Sequence, residues 1–198
     1  TGDRSQLRGY GILLGRLGYT SLACEYRLAG EAKWPAQIHD VKAAVRWLRA
    51  NADTYGLDPD NFAAWGESAG GNLVSLIGTT GDQATVLDDP ELGNADVSSA
   101  VQAVIHWYGP TDFLLMDTQA AAGGGCATPE SHDPASSPES AWMGAAIQTV
   151  PETVEQANPI AYIATAGELP AFSIAHGDAD CNVPYQQSQI LADALADI

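Results

Sequence analysis

Basic residues are scarce in this chain of 198 residues, which has 8 Lys and Arg against 25 Asp and Glu and a formal net charge of −17. Such a charge repels nucleic acids and anionic membranes, so neither is expected as a partner. No apolar run reaches the roughly 18 residues that a transmembrane helix needs. The first residues, TGDRSQLRGYG, lack the regions of a signal peptide, although a signal removed earlier would leave no trace.

Cysteine is also rare, with Cys24, Cys126 and Cys181 far apart and no CxxC pair. The four histidines are scattered as well, so no zinc-ligand spacing exists. We therefore expect no metal site and no organic cofactor.

Apolar runs alternate with helical patterns along the chain, and the composition suits one globular domain over residues 1–198. The clearest helix is PAQIHDVKAAVRWLRANADTYG, with Ile38, Val41, Val45 and Leu48 on one apolar face. Strands are predicted from the short apolar runs TSLACEY, NFAAWG, VQAVIHWYG and LPAFSIAHGD. This order predicts an α/β fold, a mostly parallel sheet with helices on both faces.

Residues 117–159 interrupt this alternation, because DTQAAAGGGCATPESHDPASSPES has no steady period. Long irregular segments within a domain are usually functional or disordered. We interpret this one, with a weak helix near 139–147, as an excursion over the C-terminal edge of the sheet. The alternative is a flexible linker between two domains.

Gly66-Glu67-Ser68-Ala69-Gly70 matches G-x-S-x-G between an apolar run and a predicted helix. A serine on a sharp strand-to-helix turn is the arrangement of a nucleophile, and flanking glycines let neighbouring backbone approach it. The N–H of Ala69 would lie at the helix N-terminus, where it can stabilise an oxyanion. The simpler interpretation is a loop in which glycine only permits a turn.

HGDADCNVP follows the last predicted strand, so its carboxylates lie at the edge where open α/β sheets bind ligands. An acid at this edge can orient a histidine and stabilise its charged form. Asp178 and Asp180 both qualify by position, and either could instead cap the turn.

These stretches together resemble the α/β-hydrolase superfamily, and within it bacterial carboxylesterases and feruloyl-esterase-like enzymes near the hormone-sensitive lipase group. The similarity is collinear over nearly the whole chain, from GYTSLACEYRLA through AWGESAGGNL to HGDADCNVPYQQSQILADAL. The resemblance implies that Ser68 is the nucleophile, Asp180 the triad acid, and Ala69 an oxyanion donor.

Two parts of that family's pattern are missing from this sequence. The HGGG-like oxyanion loop would precede the first residue, and the triad histidine would follow the acid beyond Ile198. All four histidines precede Asp180, and we expect His39, His106 and His176 to be structural. His132 is the one candidate substitute for the base. We therefore expect an internal portion of a longer hydrolase, incomplete at both ends.

Cys126 lies in the excursion and Cys181 beside Asp180, so a disulfide between them would pin the excursion to the acid turn. Two free thiols are the equal alternative. A disulfide would favour an exported protein, and free thiols a cytoplasmic one.

The resulting hypothesis is a serine carboxylic-ester hydrolase that acts through an acyl-enzyme on small-molecule esters. Short-chain or hydroxycinnamoyl esters are implied by the resemblance alone. The alternatives are an α/β-hydrolase-fold serine peptidase, and a non-catalytic hydrolase-like binding domain or inactive fragment.

Overall fold

The computed structural model describes residues 3–81, 83–123 and 125–198. Among these residues, one parallel sheet is formed by β1 (Ala63–Glu67), β2 (Ala103–Trp107) and β3 (Ala171–Ala175), in that order. Three of the predicted strands are thereby confirmed. The carboxyl ends of parallel strands lie at one edge of the sheet. This edge carries the G-x-S-x-G motif and the HGDADCNVP segment.

Helices connect and flank the strands, and none among the described residues is long and apolar enough to span a bilayer. In chain order they are α1 (Arg8–Arg16), α2 (Ala36–Ala50), α3 (Ala52–Tyr55), α4 (Ala69–Thr80), α5 (Met116–Ala122), α6 (Pro138–Met143), α7 (Pro151–Glu155), α8 (Ile160–Ile163) and α9 (Gln186–Ala196).

Helix α4 lies against one face of the sheet and is the most deeply buried element, with residues 71–80 all buried. Close packing requires Gly78, because a Cβ there would lie 2.7 Å from Phe172 and 2.8 Å from Val104. A helix that is apolar on nearly every side belongs inside a domain.

The opposite face of the sheet carries an aromatic cluster. Trp65 and Trp107 pack with ring centroids 4.9 Å apart, and Tyr10 of α1 lies 4.7 Å from Trp65. Helices therefore cover both faces, as predicted, although on this side Ala171 and Ser173 of β3 remain exposed.

The fourth predicted strand, TSLACEY, does not form, and residues 19–28 have no regular structure. A strand needs a ladder partner, and in the described residues β1, β2 and β3 pair only with one another. Directly after the run, Arg27 N–H donates to Asp40 at 2.9 Å and Leu28 N–H to Glu31 at 2.8 Å. Cys24 is consequently a half-buried free thiol outside any strand.

Helix α2 forms where predicted, but its buried side differs from the predicted apolar face. Ile38, Lys42 and Arg46 are buried, whereas Val45 is only partly so. The charges are tolerated because the loop after α4 supplies partners; Lys42 Nζ lies 2.7 Å from a carboxylate oxygen of Asp88.

The predicted excursion, residues 117–159, is more helical than its sequence indicates, and residue 124 within it lies outside the described residues. It contributes buried side chains to the main core: Trp142 packs at 5.8 Å from Trp34 and 5.7 Å from Phe113, measured between ring centroids. Burial of this kind is not expected of a free linker between two domains.

Candidate active site

Ser68 lies on a strained turn between β1 and α4. Its φ of 51° and ψ of −121° are a conformation that side chains other than glycine rarely adopt, and such strain clusters at functional sites. The turn is held from both sides, because Ser68 N–H donates to Trp107 at 3.0 Å and the Ser68 carbonyl accepts from Asn72 at 3.2 Å. Strand, turn and buried helix thus fix the serine in an exposed position.

The glycines of the motif differ in how much they are needed. A Cβ at Gly66 would lie 2.1 Å from the Gly70 carbonyl oxygen, which no side chain could tolerate. A Cβ at Gly71 would lie 2.9 Å from the backbone of Gly109. Gly70 has open space around it, so the expectation that both flanking glycines permit close approach holds for Gly66 alone.

Two groups at this turn have no partner among the described residues. The hydroxyl of Ser68 makes no hydrogen bond there, and the N–H of Ala69 is the first donor of α4 without an acceptor. A helix N-terminus with a free N–H favours negative charge. A carbonyl carbon placed at Ser68 Oγ would therefore have an oxyanion donor beside it.

Asp180 occupies a turn after β3, and the structure distinguishes it from Asp178. One oxygen of Asp180 accepts from the N–H groups of Asn182 at 2.8 Å and Val183 at 3.0 Å. The other lies 3.5 Å from Nε2 of His176. Asp178 is exposed, and its backbone carbonyl accepts from Gly125 N–H. The carboxylate of Asp180 is thus the one with a fixed orientation.

The excursion is covalently linked to the turn that contains Asp180, called the acid turn below. Cys126 and Cys181 form a disulfide with Cα atoms 5.2 Å apart. Beside it, Gly125 N–H donates to the Asp178 carbonyl at 2.9 Å and Glu130 N–H to the Cys181 carbonyl at 2.8 Å. Asp180 therefore precedes a covalently anchored residue.

Each histidine is engaged elsewhere in the described residues, and none bonds to Ser68. His39 contacts the Val86 carbonyl at 3.0 Å, while His106 and His176 both contact Ser188. His132 lines the crevice that also contains Asp180, but its Nδ1 lies 3.0 Å from Glu139. Burial lowers the pKa of His132, but the carboxylates of Glu139, Asp117 and Glu130 together more than offset this, and the pKa is raised.

The sequence alone did not show that Glu67 and Tyr108 are joined across the tops of β1 and β2. Tyr108 has a φ of 39°, and its hydroxyl donates to Glu67 at 2.9 Å. Burial, and then the bond to Glu67, raise the pKa of Tyr108 to about 12. The available signal was that Glu67 ends β1 and Tyr108 directly follows the neighbouring strand β2.

Strand, serine turn and buried helix follow one another here as they do in α/β-hydrolases, and the chain has that fold. It belongs to the BD-FAE family, whose sequence profile matches residues 2–195.

Proteins that are similar to this chain include named esterases. Esterase LipC of Mycobacterium tuberculosis is 31% identical over 191 residues, which are 96% of this chain and 44% of LipC. A bifunctional GH43-CE protein of Bacteroides eggerthii has 37% identity and a TM-score of 0.76, over 86% of this chain and 24% of that one. A truncated carbohydrate esterase from gut microbiota has 32% identity and a TM-score of 0.74, over 87% and 60%. The chain therefore spans less than half the length of LipC.

Proposed function

We propose that this chain carries the nucleophile and acid of a serine carboxylic-ester hydrolase. The observation that supports this most is the strained Ser68, exposed at the head of α4 beside the free N–H of Ala69. Strain of this kind, at an accessible hydroxyl next to an oxyanion donor, has no use in a purely structural turn.

In the proposed reaction, Ser68 Oγ attacks the ester carbonyl carbon while its proton passes to a histidine base. Asp180 stabilises the resulting imidazolium, and Ala69 N–H donates to the oxyanion. The ester C–O bond then breaks and the alcohol leaves with the proton from the imidazolium. Water hydrolyses the acyl-enzyme by the same base and regenerates Ser68.

The base is the part that these residues do not supply in this conformation, because every histidine is engaged elsewhere. We infer that it comes from sequence outside this chain, which would then be the central portion of a larger single hydrolase domain, with 117–159 as its cap-like excursion. His132 is the alternative, since it lines the same crevice as Asp180.

For the substrate we propose small-molecule esters with short-chain or hydroxycinnamoyl acyl groups. The carbohydrate esterase among the similar structures favours esters borne on sugars. The disulfide between Cys126 and Cys181 favours an oxidising, exported location.

The test uses the protein expressed at the full length that its gene encodes. A fluorophosphonate should form one covalent adduct at Ser68, and Ser68→Ala should lose the adduct and lower turnover of short-chain nitrophenyl esters on the order of a thousandfold. Ser136→Ala, which changes an exposed serine of the excursion, is the matched control and should keep both. Unlabelled Ser68 with no ester turnover would favour a binding domain, and faster cleavage of aminoacyl amides than of esters would favour a peptidase.

The identity of the base is tested in the same protein with His132→Ala. We expect this variant to keep its ester turnover, because a histidine elsewhere serves as the base. If turnover disappears and returns on adding imidazole, His132 is the base instead.

A further inference from the structure

Tyr108 connects the strand ends that lead into the serine turn and the acid turn. Its hydroxyl donates to the carboxylate of Glu67, the residue directly before Ser68, at 2.9 Å. Its backbone N–H donates to the carbonyl of Ala175, the last residue of β3, at 2.8 Å. One residue is therefore bonded to the end of β1 through its side chain and to the end of β3 through its backbone.

The sheet itself stops at this level. The last residue pairs of its ladders are Glu67 with Trp107 and Trp107 with Ala175. Beyond them, Ser68 N–H still donates to the Trp107 carbonyl at 3.0 Å. The bond from Tyr108 to Glu67 continues the connection between β1 and β2 through side chains, at the point where the chain leaves the sheet to form the serine turn.

The backbone of Tyr108 is strained and tightly packed. Its φ of 39° lies in the left-handed region, where residues other than glycine are uncommon, and such strain clusters at functional sites. A Cβ on the next residue, Gly109, would lie 2.7 Å from the backbone nitrogen of Asn72 in α4. This close approach to α4, the helix that begins directly after Ser68, holds the strained backbone where the phenol reaches Glu67.

The phenol of Tyr108 is a hydrogen-bond donor throughout the pH range of ordinary esterase assays. Burial, and then the bond to Glu67, raise the pKa of Tyr108 to about 12, so the hydroxyl keeps its proton. The charge of Asp180 is among the smaller causes of this rise, so the phenol lies within electrostatic reach of the acid. The ring of Tyr108 also lies 6.4 Å from that of His176, measured between ring centroids.

We propose that Glu67 and Tyr108 act as a pair that positions the serine turn relative to the acid turn. A catalytic triad depends on the spacing of its members, and a misplacement of about 1 Å can lower the rate on the order of a hundredfold. Glu67 is joined to Ser68 by a peptide bond, and β3, to which Tyr108 is bonded, leads into the acid turn. This role rests on the proposed function, in which Ser68 is the nucleophile and Asp180 the acid.

The direct test is Tyr108→Phe in the full-length protein, because this change removes the hydroxyl and keeps the ring. We expect kcat for short-chain nitrophenyl esters, per serine that a fluorophosphonate can label, to fall about tenfold. KM should stay within about twofold, since the pair acts on the geometry of the reacting groups and not on substrate binding. An unchanged kcat would overturn the proposal.

Tyr162→Phe is the matched control. Tyr162 of α8 is also half-buried, and its hydroxyl donates to the Gln156 carbonyl at 3.0 Å, in neither of the two turns. Both variants therefore lose one phenol hydrogen bond, and urea unfolding should show similar small losses of stability. We expect only Tyr108→Phe to lower kcat. An equal fall of kcat in both variants would show a general effect of stability and would refute positioning.

Two substitutions of Glu67 test whether the residues act together. Glu67→Gln keeps an oxygen that can accept from Tyr108, whereas Glu67→Leu has none, so the first should retain more of the parental kcat. Adding Tyr108→Phe to Glu67→Leu should lower kcat by less than about a further twofold, because the bond is already lost. Losses that multiply in the double variant would show two independent residues and would contradict the proposal.

Labelling of the parent protein separates this proposal from the proposed function. If a fluorophosphonate labels Ser68 in the parent and Tyr108→Phe keeps the parental kcat, the positioning role is refuted and the hydrolase stands. If Ser68 of the parent is not labelled and no ester is turned over, the proposed hydrolase is refuted, and the positioning role is refuted with it.

Discussion

The disulfide between Cys126 and Cys181 should contribute a large part of this chain's stability, because it closes a long loop. The two cysteines are 55 residues apart. A crosslink over such a loop removes roughly 14 cal/mol/K of entropy from the unfolded chain, or about 4 kcal/mol at 25 °C. For a chain of this size, that corresponds to a melting temperature lower by roughly 8–16 °C when the bond is absent.

The assay is urea unfolding of the oxidised protein and of Cys126→Ser/Cys181→Ser, followed by circular dichroism. Cys24→Ser is the matched control, since Cys24 is free and its loss closes no loop. We expect the double variant to lose about 4 kcal/mol in free energy of unfolding and the control to change by less than about 1 kcal/mol.

A loss below about 1 kcal/mol in the double variant would refute the loop-entropy argument. It would mean that the backbone bonds from Gly125 and Glu130 already hold the excursion on the acid turn, or that the unfolded chain is compact there. Reducing the parent protein with a dithiol should reproduce the double variant, because two thiols then replace the bond.

Further predictions concern a pair of glycines, a buried histidine and a thiol. Gly66→Ala should abolish labelling of Ser68 and lower the melting temperature, because its Cβ would lie 2.1 Å from the Gly70 carbonyl. Gly70→Ala, the control, should fold as stably as the parent protein. Equal melting curves for the two variants would contradict this prediction. The raised pKa of His132 means that its pairing with Glu139 stabilises the fold below about pH 6.5, the unfolded value, and that this contribution is lost as pH rises through the folded pKa. His132→Asn should accordingly cost more stability at pH 5.5 than at pH 8.5, and a cost that rises with pH in urea titrations would contradict the pairing. Burial raises the pKa of the Cys24 thiol to about 11, so iodoacetamide at pH 8 should alkylate it roughly a hundredfold more slowly than a free peptide cysteine; comparable rates by mass spectrometry would show an exposed thiolate.

The local sequence was sufficient to predict those helices and strands whose formation depends on their own residues. Helix α2 and strands β1, β2 and β3 were predictable because apolar periodicity and turn residues mark them. The TSLACEY run shows the limit of this approach, since a β pattern becomes a strand only beside a partner, and within the described chain β1, β2 and β3 pair only with one another. The buried side of α2 was mispredicted for the same reason, because Lys42 is buried by a loop that its own sequence cannot reveal.

The sequence by itself determined which serine stands between a strand and a helix, because glycine spacing and flanking apolar runs are local properties. Only the tertiary structure decided that Asp180 rather than Asp178 is the oriented carboxylate, and that Cys126 reaches Cys181. It alone brought Ser188 within 3.1 Å of His106, a contact across 82 positions of the chain. Such contacts depend on how β2, β3 and α9 pack, and packing is a property of the whole core.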